Sequence, residues 1–201
     1  MLTNAPTPSS LIEVTDSVLV VIDIQDCFLN KFDNAKVEAL LSKVGWLIKA
    51  AGHLDVPILA MAEDIANAGG LNEQIATALP EGTTVHDKNF FGLSANPEIF
   101  TALQKMGRGT AICVGTETDV CVAQTAIGLV DNGYRVVALQ DAVATTDADE
   151  AIGIDRMRGA GVIISSVKAL YYEWVRSVSG CRKLDNVAPD LKAARPASLI
   201  L

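Results

Sequence analysis

The residue best placed for chemistry is Cys121, in the stretch Gly115-Thr116-Glu117-Thr118-Asp119-Val120-Cys121-Val122, where an apolar strand-like run gives way to a helix-like one. Backbone N–H groups in a helix's first turn lack intrahelical partners. Their partial positive charge favours a thiolate, so a cysteine there can have a lowered pKa and act as a nucleophile. Taken alone, a cysteine after a strand is more often a small core residue. Two further residues tilt the balance. Asp23 closes the first apolar run and Lys88 the third. An ammonium beside the sulfur stabilises a thiolate, and a partly desolvated carboxylate can take the thiol proton and pass it on.

For these three to meet, the elements that carry them must end at one edge. The apolar runs Val18 to Asp23, Val56 to Met61, Thr83 to Lys88, Thr110 to Gly115, Arg135 to Leu139 and Val162 to Ile164 predict six strands. They are continuously apolar rather than alternating, the pattern of strands buried on both faces. Helical spacing fills the gaps. Val37, Leu40, Leu41, Val44 and Ile48 form one stripe closed by Gly52, and Val122, Ala126, Leu129 and Val130 form another, stopped by Asn132-Gly133. Asp147 with Glu150 resembles a capping box, and Val167, Tyr171, Trp174 and Val178 make a last stripe. The fold class expected is α/β: a doubly wound, Rossmann-like, six-stranded, mainly parallel sheet with helices on both faces, its ligand crevice at the carboxyl ends of the strands.

Composition sets the outer bounds. With 201 residues, 50% hydrophobic and 20% charged, the chain reads as a single domain over 1–201, its core at about 15–178 between a polar N-terminal segment and a C-terminal tail. That tail can drape over the domain or over a neighbouring subunit. The net charge of -8 argues against nucleic acid and anionic membranes as partners. Met1 to Ser10 has neither a basic start nor an apolar core, so no signal or membrane span is expected and the cytoplasm is the expected compartment. Cys27, Cys113, Cys121 and Cys181 are scattered, with no CxxC, and read as free thiols: Cys27 and Cys113 for packing, Cys181 in the tail. Two histidines, His53 and His86, cannot build a multi-histidine metal cage.

Three motifs together resemble the isochorismatase-like cysteine hydrolase superfamily, over about Val18 to Val178. They are Asp23-Ile24-Gln25-Asp26-Cys27-Phe28, then Lys88 followed by Phe90, Phe91 and Ser94, and the turn GTETDVCV. The resemblance implies a catalytic triad of Asp23, Lys88 and Cys121. It also implies a non-proline cis peptide at Thr116-Glu117, through which the N–H groups of Glu117 and Cys121 make an oxyanion hole. In the implied reaction the sulfur attacks an amide-type carbonyl after Asp23 takes its proton. An amine leaves, and water activated by the same carboxylate hydrolyses the thioester. Gln25, Phe28, Glu63 and Phe91 are candidate substrate contacts, with Phe28 and Phe91 equally readable as core. A homo-oligomer is implied too, Tyr171, Tyr172 and Trp174 offering interface surface.

One departure matters. Nicotinamidases of this superfamily hold a metal through an Asp-x-His after the second strand, where this chain has Glu63-Asp64-Ile65. No metal and no other cofactor is therefore expected, and the branch expected is metal-independent. The branch that hydrolyses isochorismate lacks the nucleophilic cysteine, so Cys121 points instead to carbon–nitrogen cleavage of a small molecule. The alternative is a redox-sensing or ligand-binding protein that uses an activated Cys121 without hydrolysis.

Overall fold

Runs that are apolar throughout have no face to give to water, and they become the strands of one sheet. The computed structural model describes residues 10–197 and Leu199, without the side chains of residues 147 and 148. All of Met1 to Ser10 except Ser10, and residues 198, 200 and 201, lie outside the described residues. The strands are β1 (Ser17–Ile22), β2 (Ile58–Glu63), β3 (Val85–Lys88), β4 (Thr110–Thr116), β5 (Arg135–Ala144) and β6 (Ile163–Ser165). They pair in the order β3-β2-β1-β4-β5-β6, every pair parallel. The sheet is therefore wholly parallel among the described residues. The order reverses between β1 and β4, and a crevice opens at the carboxyl ends of strands at such a switch point.

The helices are α1 (Asp26–Leu29), α2 (Asn34–His53), α3 (Ile65–Ala68), α4 (Glu73–Ala78), α5 (Pro97–Lys105), α6 (Ala123–Asp131), α7 (Asp147–Gly159), α8 (Val167–Val175), α9 (Val178–Val187) and α10 (Pro189–Ala193). Successive strand residues point to opposite faces. Leu19, Val21, Ile112, Val114 and Val137 pack with α2 and α8 on one side. Val18, Val20, Ala111, Cys113 and Val136 pack with α5, α6 and α7 on the other.

Several expectations shift in detail. Gly52 lies inside α2, which starts on the Asp33 side chain accepting from the Lys36 N–H (2.9 Å) and runs on to His53. The cap of α7 is Thr146 rather than Asp147. Its hydroxyl donates to Asp149 Oδ2 (2.9 Å) and Glu150 pairs with Lys36 (2.8 Å), while the Asp147 side chain lies outside the described residues. The last stripe breaks at Arg176, whose left-handed φ of 64° ends α8, and Val178 starts α9 exposed to solvent.

Tyr171 and Trp174 are core, not interface surface. Tyr171 packs on Trp46 with ring centroids 5.3 Å apart, and the Trp174 indole donates to Ser17 Oγ (3.0 Å), leaving Tyr172 as the exposed member of the trio. The tail drapes over its own domain. Leu184, Leu191 and Leu199 join the core beside α2, and the Trp46 indole donates to the Leu191 carbonyl (2.9 Å), so the core reaches past Val178.

Gly115 is where β4 can lie against β1. A Cβ on it would stand 1.9 Å from the Ile22 carbonyl oxygen, and its φ is +142°. Gly107 also has a positive φ (+65°) but open space around it. Gly115→Ala is expected to destabilise the fold by about 3 kcal/mol or more, since backbone must move. Gly107→Ala should cost about 1 kcal/mol. Thermal melts of the two variants separate them, and equal shifts would show that the β1–β4 approach is not limiting.

Candidate active site

Three strands end in left-handed residues that turn the chain sharply at the sheet edge. Asp23 follows β1 with φ 51°, Asp64 follows β2 with φ 45°, and Glu117 follows β4 with φ 59°. Each costs roughly 1–2 kcal/mol for a residue with a Cβ, so each must be held. Asp23 donates its N–H to the Met61 carbonyl (3.1 Å), and its own carbonyl accepts from the Gln25 N–H (2.8 Å) and from the Thr116 hydroxyl. The parallel register sets Glu63 of β2 opposite Lys88 of β3. After Glu117, one π-helical turn, Thr118–Val122, carries Cys121 before α6 begins. Such turns recur where a helix must present a functional side chain.

The Lys88 ammonium is the centre of the site. Its Nζ stands 2.9 Å from Asp23 Oδ2, 3.0 Å from Glu63 Oε2 and 3.6 Å from Cys121 Sγ. The Cys121 thiol in turn donates to Glu63 Oε2 at 3.4 Å. Asp23 and Lys88 are 0% exposed and Cys121 2%, whereas the Glu63 side chain keeps 23%. Beyond the ion pair, neither Asp23 oxygen has a hydrogen-bond partner among the described residues. Ligand atoms of Asp23, Glu63 and Cys121 lie within 4.8 Å of one another, a spacing that suits a cation. The chain supplies one itself, in Lys88.

Burial and charge set the protonation states. Burial pushes Asp23 up from its usual 3.8 to about 6, against the downward pull of Lys88. Burial also pushes the Cys121 thiol up, reinforced by Asp23 and opposed by Lys88. This corrects the expectation of a lowered thiol pKa. In a nearly sealed site the loss of water and an adjacent carboxylate outweigh the ammonium. Burial pulls Lys88 down, but Asp23, Cys121 and Glu63 together raise it, so it stays charged.

The other residues singled out by the sequence divide. The Gln25 side chain is fully buried and spent on backbone. It donates to the carbonyls of Glu63 (2.9 Å) and Gly69 (2.7 Å) and accepts from the Glu63 N–H (2.7 Å). It positions Glu63 and has no free face for a substrate. Phe91 is 50% exposed with its ring centroid 5.8 Å from Lys88 Nζ, so it is not core. Phe28 is half-buried under the Lys31 ammonium (4.9 Å), and Lys31 also pairs with Glu117 (3.0 Å). The Thr116-Glu117 bond is trans rather than cis; positive φ at Gly115 and Glu117 makes the reversal instead.

Among the remaining candidates, Cys27 is exposed rather than packed. Cys113 is buried, its thiol pushed up to about 12 by burial. Cys181 is half-buried against the core. His53 ends α2 and faces Asp190 (3.3 Å), and His86 sits two residues back from Lys88 beside Met61. Sequence reasoning missed the Thr116 brace on Asp23 and the Lys31–Glu117 pair, neither of which has a local signal.

A thiol, an ammonium and two carboxylates thus meet at the switch point of a doubly wound α/β domain. Residues 17–169 match the family model for the isochorismatase domain, and the chain belongs to that family. Among curated relatives, isochorismatase family protein 1B of Dictyostelium discoideum is 25% identical over 184 residues, covering 89% of this chain and 87% of that protein. Among solved structures, the MAR1 ribonuclease of Caenorhabditis elegans superposes with a TM-score of 0.82 at 25% identity, covering 96% of this chain and 97% of that one. N-carbamoylsarcosine amidase of Thermoplasma acidophilum shares the fold at a TM-score of 0.63 and 18% identity, covering 76% of this chain and 96% of that one.

Asp23 links folding to pH. The fold favours its neutral form, so its contribution to stability is full below 3.8 and is lost as the pH rises through about 6. Conversely, only the ionised form can accept the thiol proton. The rate of Cys121 alkylation by iodoacetamide, followed by mass spectrometry, should fall as the pH drops through about 6, and Asp23→Asn should remove that inflection. An identical profile in the variant would exclude Asp23 as the group responsible.

Proposed function

We propose that the chain is a cysteine amidohydrolase, cleaving a carbon–nitrogen bond of the amide type in a small molecule through a thioester on Cys121. The observation that carries this reading is the position of Lys88 Nζ, 2.9 Å from Asp23 Oδ2 and 3.6 Å from Cys121 Sγ. Asp23 takes the Sγ proton as the sulfur attacks the carbonyl carbon, and the ammonium stabilises the charge on both partners. The carbonyl oxygen gathers negative charge against the N–H groups of Glu117 and Cys121, the oxyanion hole of this scheme. Asp23 then returns the proton to the leaving amine, and water hydrolyses the thioester. Positive charge at the sulfur comes from Lys88, and no step runs through a metal.

Phe28, Phe91 and Glu63 line the approach in this reading, with Gln25 behind Glu63 as a positioning residue. Sharing a fold with a solved amidase supports the carbon–nitrogen assignment. A structural neighbour carries the name ribonuclease, but a net charge of -8 and a carboxylate as the most exposed of the four site groups suit a polyphosphate chain poorly. A nearly sealed thiol with a raised pKa also fits redox sensing badly, because oxidants react with accessible thiolates. Phe90 and Phe91, 59% and 50% exposed, support a homo-oligomer that would cover them.

Ammonia or amine release from a panel of small amides and ureido compounds tests the scheme. Cys121→Ala is expected to abolish turnover, and Asp23→Asn to lower kcat by about 10³-fold. Near-normal turnover in either variant would refute the thioester reading.

A further inference from the structure

The two halves of a thioester reaction make different demands on the site. Acylation needs a base for the thiol proton, and the buried Asp23 can serve. Deacylation needs a base for a water molecule that must come from solvent. Asp23 is 0% exposed, at the inner end of the Lys88 ammonium. Glu63, at the outer end, keeps 23% of its side chain exposed, and its Oε2 already reaches to 3.4 Å from Sγ.

In the resting site Glu63 Oε2 accepts from two donors, the Lys88 ammonium at 3.0 Å and the Cys121 thiol at 3.4 Å. Acylation consumes the thiol proton, so the second donor disappears. That leaves an open acceptor direction on the Glu63 carboxylate, 3.0 Å from the Lys88 ammonium and close to the sulfur bearing the acyl group. A water entering from solvent meets it there.

We propose that Glu63 is the general base of the deacylation half-reaction, so that the two carboxylates divide the work, Asp23 serving the thiol and Glu63 the water. This rests on the thioester reading above. In the step, a water O–H breaks, its proton passes to Glu63 Oε2, and its oxygen bonds to the thioester carbon. As the tetrahedral intermediate collapses, the C–S bond breaks with its electron pair on Sγ. Sγ then recovers the proton from Glu63, and the acid leaves. Atoms and charge balance, and the step restores the thiol-to-Glu63 hydrogen bond of the resting site.

The other ionisable groups facing Glu63 are Asp23 beyond β1, Lys88 on β3, Cys121 on the π turn and Cys27 on α1. Of these, Cys121 bears the acyl group, Lys88 is a charged donor, Asp23 is sealed and Cys27 is a thiol. Only Glu63 combines a base with access to water.

The test uses p-nitrophenyl acetate as the acyl donor, with nitrophenolate release and intact mass as readouts. The unsubstituted chain should show a burst and a short-lived acetyl group on Cys121. Glu63→Gln should keep the burst while the acetyl group persists about 100-fold longer, and Glu63→Asp, which retains the carboxylate, should clear it faster than Glu63→Gln. The Glu63 backbone is clamped by Gln25, so the substitutions alter the side chain in a fixed frame. Decay at the unsubstituted rate in Glu63→Gln, or equal persistence in both variants, overturns the proposal. Loss of the burst in Glu63→Gln while iodoacetamide still labels Cys121 overturns it too, by moving Glu63 into the first step. No acetyl adduct on the unsubstituted chain refutes the thioester reading itself and this inference with it.

Discussion

A fully buried ammonium is the constraint around which the carboxyl edge of the sheet is arranged. Stripping water from a lysine costs several kcal/mol, and the loss is recovered only if carboxylates with good geometry surround the charge. Lys88 meets the condition with Asp23 at 2.9 Å and Glu63 at 3.0 Å. The two carboxylates come from the ends of β1 and β2, so the strand order β3-β2-β1 is what brings them within reach. With the Cys121 turn arriving from β4 on the far side of β1, four strands contribute to one small charged cluster.

Delivering side chains from strand ends to a point requires the backbone to turn at once, and the price is left-handed residues. Asp23, Asp64 and Glu117 take that conformation where β1, β2 and β4 stop. Sheet pairing on both sides of β1 fixes the chain up to the turn, and the Thr116 hydroxyl holds the Asp23 carbonyl beyond it. The Cys121 turn is supported from below by α7, where Gly153 comes so close that a Cβ on it would stand 2.7 Å from Asp119 Cα. Such close packing keeps the sulfur at one distance from its partners.

Much of this was legible because the physics was local. Six apolar runs announced six buried strands, and although Asp23, Lys88 and Cys121 each had an ordinary structural reading alone, their joint placement at the strand ends and the following turn pointed to one site. What the sequence concealed depends on register and on competition between terms. The apolar run of β2 ends at Met61, yet pairing with β3 carries the strand to Glu63 and sets it against Lys88. The helical period through Val178 was real as a pattern, but Arg176 breaks it, and nothing in the spacing reveals a left-handed residue. Gln25, two residues from Asp23, reads as a substrate contact from its motif, because the backbone its amide bonds to lies more than 35 residues away and leaves no local signal. The thiol was misjudged for a different reason. Helix-terminus and ammonium effects can be read from neighbours in sequence, whereas desolvation depends on the whole fold.

That last term decides how the site must operate. With Asp23 raised to about 6 and the Cys121 thiol raised by burial, the proton rests on sulfur and the negative charge on the carboxylate at neutral pH. A standing thiolate would add a further anion beside an ammonium that Asp23 and Glu63 already share. In the proposed scheme, proton transfer from sulfur to Asp23 is therefore uphill on its own and would become favourable only as charge moves from sulfur onto a carbonyl oxygen near the turn's N–H groups. The resting thiol is kept quiet by the burial that makes its neighbours effective. A nucleophile released only by its electrophile suits a hydrolase, and it leaves an oxidant at the site entrance with little thiolate to attack.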